Sequence, residues 1–342
     1  MRRFVKNLLS NFSHIYVENN AFGYQITDIV LEKFSNASIV KIKHYKDVFN
    51  RLGQDFQSQK TSMKLILAKK REPFLYPASE MIQEYDTPNF YYNTPIINCL
   101  YNCDYCFLQG MYQSGNIVVF VNDGDFMDAI TEQLKNLKYP FEKMFVSISY
   151  NTDLMAIENI IPLTSRWIQF ASGKSNLKIE VRTKSAFFQS LKTIPPSKNV
   201  VLSWSLSPNS VSEKYEKRTP PLKSRLNSVK AAMQKGWEVR LCLDPIIMVD
   251  NYDQIYCEFI DELFSEIDGL RLKDVTLGVF RMNKDYFNRI LKRDPKSDIY
   301  YNNYSVEDNT VMPANPLRKE AIQLVEEKLL EYIPKSKILS WK

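Results

Sequence analysis

The sequence predicts an α/β protein: a partial, TIM-like (β/α)6 barrel with a small N-terminal α/β subdomain. Three observations carry this. From about residue 89 short apolar runs alternate with helical patterns, the signature of parallel strands joined by right-handed crossovers. The number of runs fits an open barrel of about six repeats better than a closed eight-fold one. A cysteine-rich loop follows the strand-like Phe90 to Ile97, and chemistry in such barrels gathers at the C-terminal ends of strands.

Residues 1–88 supply the predicted subdomain. His14-Ile-Tyr-Val-Glu, Ser38-Ile-Val-Lys-Ile-Lys and Lys64-Leu-Ile-Leu-Ala read as strands, and Ile26 to Phe34 as an amphipathic helix. Residues 89–342 supply the barrel and a C-terminal extension. Its strand runs are Phe145 to Tyr150, Lys178 to Thr183, Val200 to Leu206, Val239 to Pro245 and Val275 to Phe280. Helical patterns cover Leu222 to Lys235, with Gly236 as a C-cap, and Tyr252 to Ile267. There are no internal repeats or low-complexity segments.

Composition excludes several classes. Of 342 residues, 44% are apolar and 25% charged, as in an ordinary globular protein. No run of 18 apolar residues exists, so no membrane span is expected. The basic start, Met1-Arg-Arg-Phe, lacks a sustained apolar core and a small-residue cleavage site, so no signal peptide is predicted. Outside the cysteine-rich loop, Cys242 and Cys257 form no disulfide framework, and so few cysteines point to the reducing cytoplasm. A net charge of +6 permits a nucleic-acid partner without demonstrating one. A monomer is expected.

Three of the five cysteines fall in Cys99-Leu-Tyr-Asn-Cys103-Asp-Tyr-Cys106. Three thiolates do not complete a tetrahedral structural zinc site. They suit a [4Fe–4S] cluster with one iron open to a ligand, since cysteine thiolates hold such clusters. The alternative is a zinc knuckle completed by a distant residue; the two histidines, His14 and His44, have no ligand-like spacing. The C-x3-C-x2-C spacing, with Tyr105 before the last cysteine, resembles the radical S-adenosylmethionine (SAM) signature. That resemblance implies a fold of radical SAM type, a cluster on Cys99, Cys103 and Cys106, and reductive cleavage of SAM to a 5′-deoxyadenosyl radical.

Nearly the whole chain resembles spore photoproduct lyase and its relatives, which repair a UV-induced thymine dimer in DNA. Ile15-Tyr-Val-Glu, Ser62-Met-Lys-Leu-Ile-Leu-Ala, Cys103-Asp-Tyr-Cys-Phe-Leu-Gln109, Thr152-Asp153, Thr183-Lys184, Ser203-Trp-Ser-Leu-Ser207, Asp244-Pro-Ile246 and Val279-Phe-Arg281 fall in the family's order. By this resemblance Thr152 and Asp153 meet the amino end of SAM, Lys184 its carboxylate, and Ser205 the ribose or methionyl part. Asp244 ends a strand lining the adenine side. A carboxylate beside an ammonium makes a charge-assisted hydrogen bond, which suits Asp153. The alternatives are an N-cap for Asp153, a barrel serine for Ser205 and a solvated charge for Lys184.

The departures concern hydrogen return. The family quenches its product radical with a cysteine and two tyrosines; here Tyr150 stands at the cysteine's position, Tyr105 remains, and the second tyrosine is Phe107. Tyr150 is thus a candidate donor. Cys242 is a second candidate, two residues before Asp244 on one strand face, with a buried apolar-like cysteine as the alternative. A third reading is a different reaction on a related substrate. The family's basic DNA-inserting hairpin corresponds to Tyr300 to Val311, which carries no Lys or Arg; Tyr300, Tyr301 and Tyr304 are candidates to stack on bases, or to pack internally. Arg281, Lys284, Arg289, Lys292 and Arg293, and the patch Lys214 to Lys223, are candidate phosphate contacts. The expected partners are DNA with UV-damaged thymines and an external electron donor such as flavodoxin or ferredoxin. The rivals are a radical SAM enzyme for another nucleic-acid, small-molecule or peptide substrate, and a non-catalytic iron–sulfur redox or DNA-binding protein.

Overall fold

A computed structural model describes residues 12–78 and 87–341. These residues divide into two compact units. The first holds 12–78, 87–100, 112–183 and 187–201; the second holds 101–111, 184–186 and 202–341.

In the first unit a five-stranded sheet has the order Ser38–Ile42, His14–Glu18, Leu65–Ala68, Ile117–Phe120, Ile96–Ile97. The first four strands are parallel and the last is antiparallel. Leu65–Ala68 and Ile117–Phe120 are buried at every position, because parallel strands covered on both faces read as continuous apolar runs rather than alternating ones. A second set of strands pairs Leu177–Thr183 with Met144–Ser147 and Met144–Ser147 with Phe90–Tyr92, all parallel, and Tyr76–Pro77 closes that edge antiparallel. The single strand predicted from Phe90 to Ile97 is two short ones in different sheets. Pro95 lies between them, and proline has no N–H to continue a ladder.

In the second unit Glu238–Ile246 pairs with Asp274–Val279, and Asp274–Val279 with Ile338–Ser340, both parallel. The helices Leu222–Lys235 and Tyr252–Glu266 fall where periodicity puts them. Gly236 closes the former with φ of 93°, a left-handed C-cap that glycine adopts without a Cβ clash. Trp204 and Tyr256 are among the largest side chains fully buried in this unit. Strands Tyr304–Glu307 and Thr310–Pro313 form a hairpin. Its two-residue loop is Asp308-Asn309, both at positive φ, as tight hairpin turns require. The fold is the α/β partial barrel that the alternating runs predict. No helix among the described residues is long and apolar enough to cross a membrane.

Candidate active site

The three motif cysteines lie outside any disulfide, with Cys99 in the first unit and Cys103 and Cys106 in the second. Cys99 follows Asn98, whose φ of 71° turns the chain after Ile96–Ile97. The fully buried Asn98 side chain holds that turn by donating to the carbonyls of Ser114 (2.6 Å) and Asn116 (2.7 Å). The buried Lys60 donates its ammonium to the Cys99 carbonyl at 2.5 Å.

In the second unit the Cys106 amide and the Gln109 carboxamide both donate to the Cys103 carbonyl, at 3.0 and 2.5 Å. The short helix Leu108–Met111 follows, and two arginines from Lys284–Arg293 take up its carbonyls. Arg289 donates to Gly110 (2.5 Å) and Arg293 to Gln109 (2.6 Å). Gly110 sits so tightly that an added Cβ would clash with the Tyr286 carbonyl oxygen. The Tyr300 hydroxyl donates to the Asp104 carbonyl at 2.6 Å. The turn is therefore gripped from several sides.

The densest polar arrangement centres on Glu216, a residue the sequence reading left inside a charged patch. Glu216–Lys217 pairs antiparallel with Asn102–Cys103, and Glu216 is the register partner of Cys103. Its fully buried carboxylate accepts from the Tyr105 hydroxyl, Ser207 (3.1 Å) and Ser212 (3.0 Å). Lys184 lies 3.4 Å from Oε1 and Arg225 2.5 Å from Oε2. Burial alone would raise the carboxyl's pKa; Lys184 and Arg225 outweigh it and hold it at about 2. Burial, then the Glu216 charge, pushes the Tyr105 phenol well above its ordinary value. The Lys184 ammonium sits 5.5 Å from the centre of the Tyr105 ring. Lys184 directly follows the strand Leu177–Thr183.

The other candidates occupy varied settings. In the first unit Tyr150, half-buried, packs on Tyr92 with ring centres 4.6 Å apart, against Phe90, Phe145 and Val201. Thr152 is partly exposed, and its amide is 3.5 Å from the Ser149 carbonyl. Asp153 is buried and caps the helix Leu154–Ile157; Oδ1 accepts from the Ala156 amide (3.0 Å) and the Thr183 hydroxyl (2.7 Å). In the second unit Ser205 is buried, and its carbonyl lies 3.5 Å from Arg225. Cys242 is fully buried within Glu238–Ile246, opposite Thr276. The register slips between Leu243 and Ile246, so strict alternation of faces stops near Asp244. Asp244 receives both Nη atoms of Arg281, at 2.8 and 3.2 Å. An added Cβ at Gly278 would lie 2.7 Å from each partner of that pair, and the guanidinium stacks 4.5 Å from the Trp341 ring.

Tyr304 packs on Phe280 and Phe287, and its hydroxyl donates to the Ile299 carbonyl at 2.8 Å. Tyr301 is 64% exposed, although its hydroxyl reaches the Pro295 carbonyl at 3.0 Å. Several cations suggested for phosphates are engaged internally: Lys214 with Asp298 (2.6 Å), Lys217 with Asp104 (2.8 Å), and Arg289 and Arg293 as above.

Cysteine thiols are the donor type that iron–sulfur clusters take, and backbone bonds to the Cys103 carbonyl hold the turn that carries two of them. Among the described residues no group of three or more His, Cys, Asp or Glu side chains is drawn together as a metal-holding set. A partial barrel with a C-x3-C-x2-C loop defines the radical SAM class. The sequence profile of "SPL: Spore photoproduct lyase" matches residues 11–309, and the chain belongs to the spore photoproduct lyase family. It is 21% identical over 291 residues to a spore photoproduct lyase of Geobacillus sp. (strain Y412MC61), covering 83% of each chain. Solved structures agree in fold. A cysteine-to-serine mutant of spore photoproduct lyase superposes with a TM-score of 0.82 at 18% identity, covering 96% of this chain and 98% of that one. A spore photoproduct lyase complexed with dinucleoside spore photoproduct superposes at 0.81, with 17% identity and the same coverage.

Proposed function

We propose that this chain is a radical SAM lyase that repairs a thymine dimer photoproduct in DNA. The observation that carries the reading is the C-x3-C-x2-C set within a chain belonging to the spore photoproduct lyase family. Cys99, Cys103 and Cys106 would hold a [4Fe–4S] cluster. With SAM bound and an electron from a flavodoxin- or ferredoxin-like donor, that cofactor pair would supply the radical chemistry that removes a hydrogen atom from the lesion. The protein's own task is to bind, orient and return hydrogen. Lys184, Asp153, Thr152, Ser205 and Asp244 are assigned to SAM. Arg281, Tyr301 and Tyr304 are the substrate-side assignments, of which the exposed Tyr301 is best suited to meet a base.

Tyr150 is assigned the hydrogen-atom donor, with Tyr105 beside the cysteine loop assisting. The half-buried setting of Tyr150 supports it over Cys242, whose side chain is fully enclosed. The test is anaerobic. The reconstituted protein, reduced with SAM, is given DNA carrying the photoproduct, and thymine restoration and 5′-deoxyadenosine are followed by mass spectrometry. Restored thymines are the expected result. Deoxyadenosine without repair redirects the chemistry to another substrate, and absence of both favours a non-catalytic iron–sulfur protein.

A further inference from the structure

We infer that Glu216 is the positioning residue of this site, holding the Lys184 ammonium and the Tyr105 hydroxyl at one carboxylate oxygen so that they face a ligand as a unit. This rests on the reading that Lys184 meets SAM and Tyr105 serves the hydrogen return.

Three features carry it. The same residue pairs through its backbone with Cys103 and through its side chain with Tyr105, so loop and ring are tied at one point. Oε1 takes Tyr105, Lys184 at 3.4 Å and Ser207 at 3.1 Å, while Oε2 takes Arg225 at 2.5 Å and Ser212 at 3.0 Å. Arg225 is itself immobilised, donating to the Pro220 carbonyl (2.8 Å), Thr219 (2.6 Å) and Ser212 (3.0 Å). The carboxylate therefore has a fixed origin. A lysine loses much rotamer freedom when it binds an anion. Pairing with a fixed carboxylate removes that freedom before the ligand arrives, and such preorganisation raises affinity. A glutamate needed only to neutralise Arg225 would not reach both Lys184 and Tyr105.

Two measurements test this. In cluster-free protein, acylation of Lys184 by a soluble succinimidyl ester is followed by peptide mass spectrometry. E216Q speeds labelling of Lys184 and leaves Lys135 unchanged. In reconstituted protein, SAM affinity is read from the cluster's EPR spectrum during titration. E216Q weakens SAM binding about tenfold, the cost of ordering one long side chain on binding, with iron content unchanged. E216D restores part of the affinity. Because E216Q leaves Arg225 buried without its carboxylate, E216Q/R225M is carried in parallel; the two charges are then removed together and the same loss of affinity is expected. Wild-type SAM affinity in a folded E216Q or E216Q/R225M protein overturns the inference. Failure of wild-type protein to bind SAM sinks the functional reading instead, while Lys184 labelling still reports on the pairing.

Discussion

Asp244 grips Arg281 through both carboxylate oxygens, at 2.8 and 3.2 Å. A residue expected beside the cofactor is thereby joined to one expected beside DNA. Both side chains are largely enclosed, and Gly278 leaves the space they fill. Removing the arginine leaves a buried carboxylate without its countercharge, which costs about 3–5 kcal/mol. Arg281→Ala should therefore lower the melting temperature of cluster-free protein. An unchanged melt would mean that the pair contributes nothing to folding.

Glu216 gives the fold an acid limit. Its carboxyl titrates at about 2 in the folded chain, below the ordinary carboxylate value of 4.5. A depressed folded pKa adds stability that is fully present above the unfolded value and is lost as pH falls through the folded one. Stability should thus decline between about pH 4.5 and about pH 2, and E216Q should flatten that decline. Denaturant melts across this range check it; parallel curves for the two proteins would remove Glu216 from the acid response.

Cys103 supplies a thiol from a turn held through its backbone carbonyl. Cys103→Ala keeps those backbone bonds, so the protein should fold while iron loading and SAM cleavage fall together. Iron and sulfide analysis with 5′-deoxyadenosine quantification decides this. Full iron loading in the variant would refute the cluster assignment.

Tyr150→Phe removes one hydroxyl and keeps the ring that packs on Tyr92. Melting should change little. SAM cleavage should persist while the distribution of DNA products shifts, because the donor hydrogen is gone. Product profiles identical to wild type by mass spectrometry would exclude Tyr150 from hydrogen return.

Much of the fold was legible because it rests on local periodicity. The buried runs Leu65–Ala68 and Met144–Ser147, and the helix closed by Gly236, obey rules that neighbouring residues satisfy by themselves. The cysteine motif was legible for a similar reason, since its chemistry depends on spacing within eight residues. The break at Pro95 was readable in principle but was outweighed by the apolar run around it.

The sequence by itself determined the strand–helix order, the cysteine loop, and the family to which the chain belongs. Only tertiary structure decided how individual charges are used. Glu216 meets Tyr105 across 111 residues and Asp244 meets Arg281 across 37, and no periodic signal links positions so far apart. In sequence each is one charge among many. Burial removes water as a competing partner, and that turns an ordinary glutamate into the fixed origin of a site.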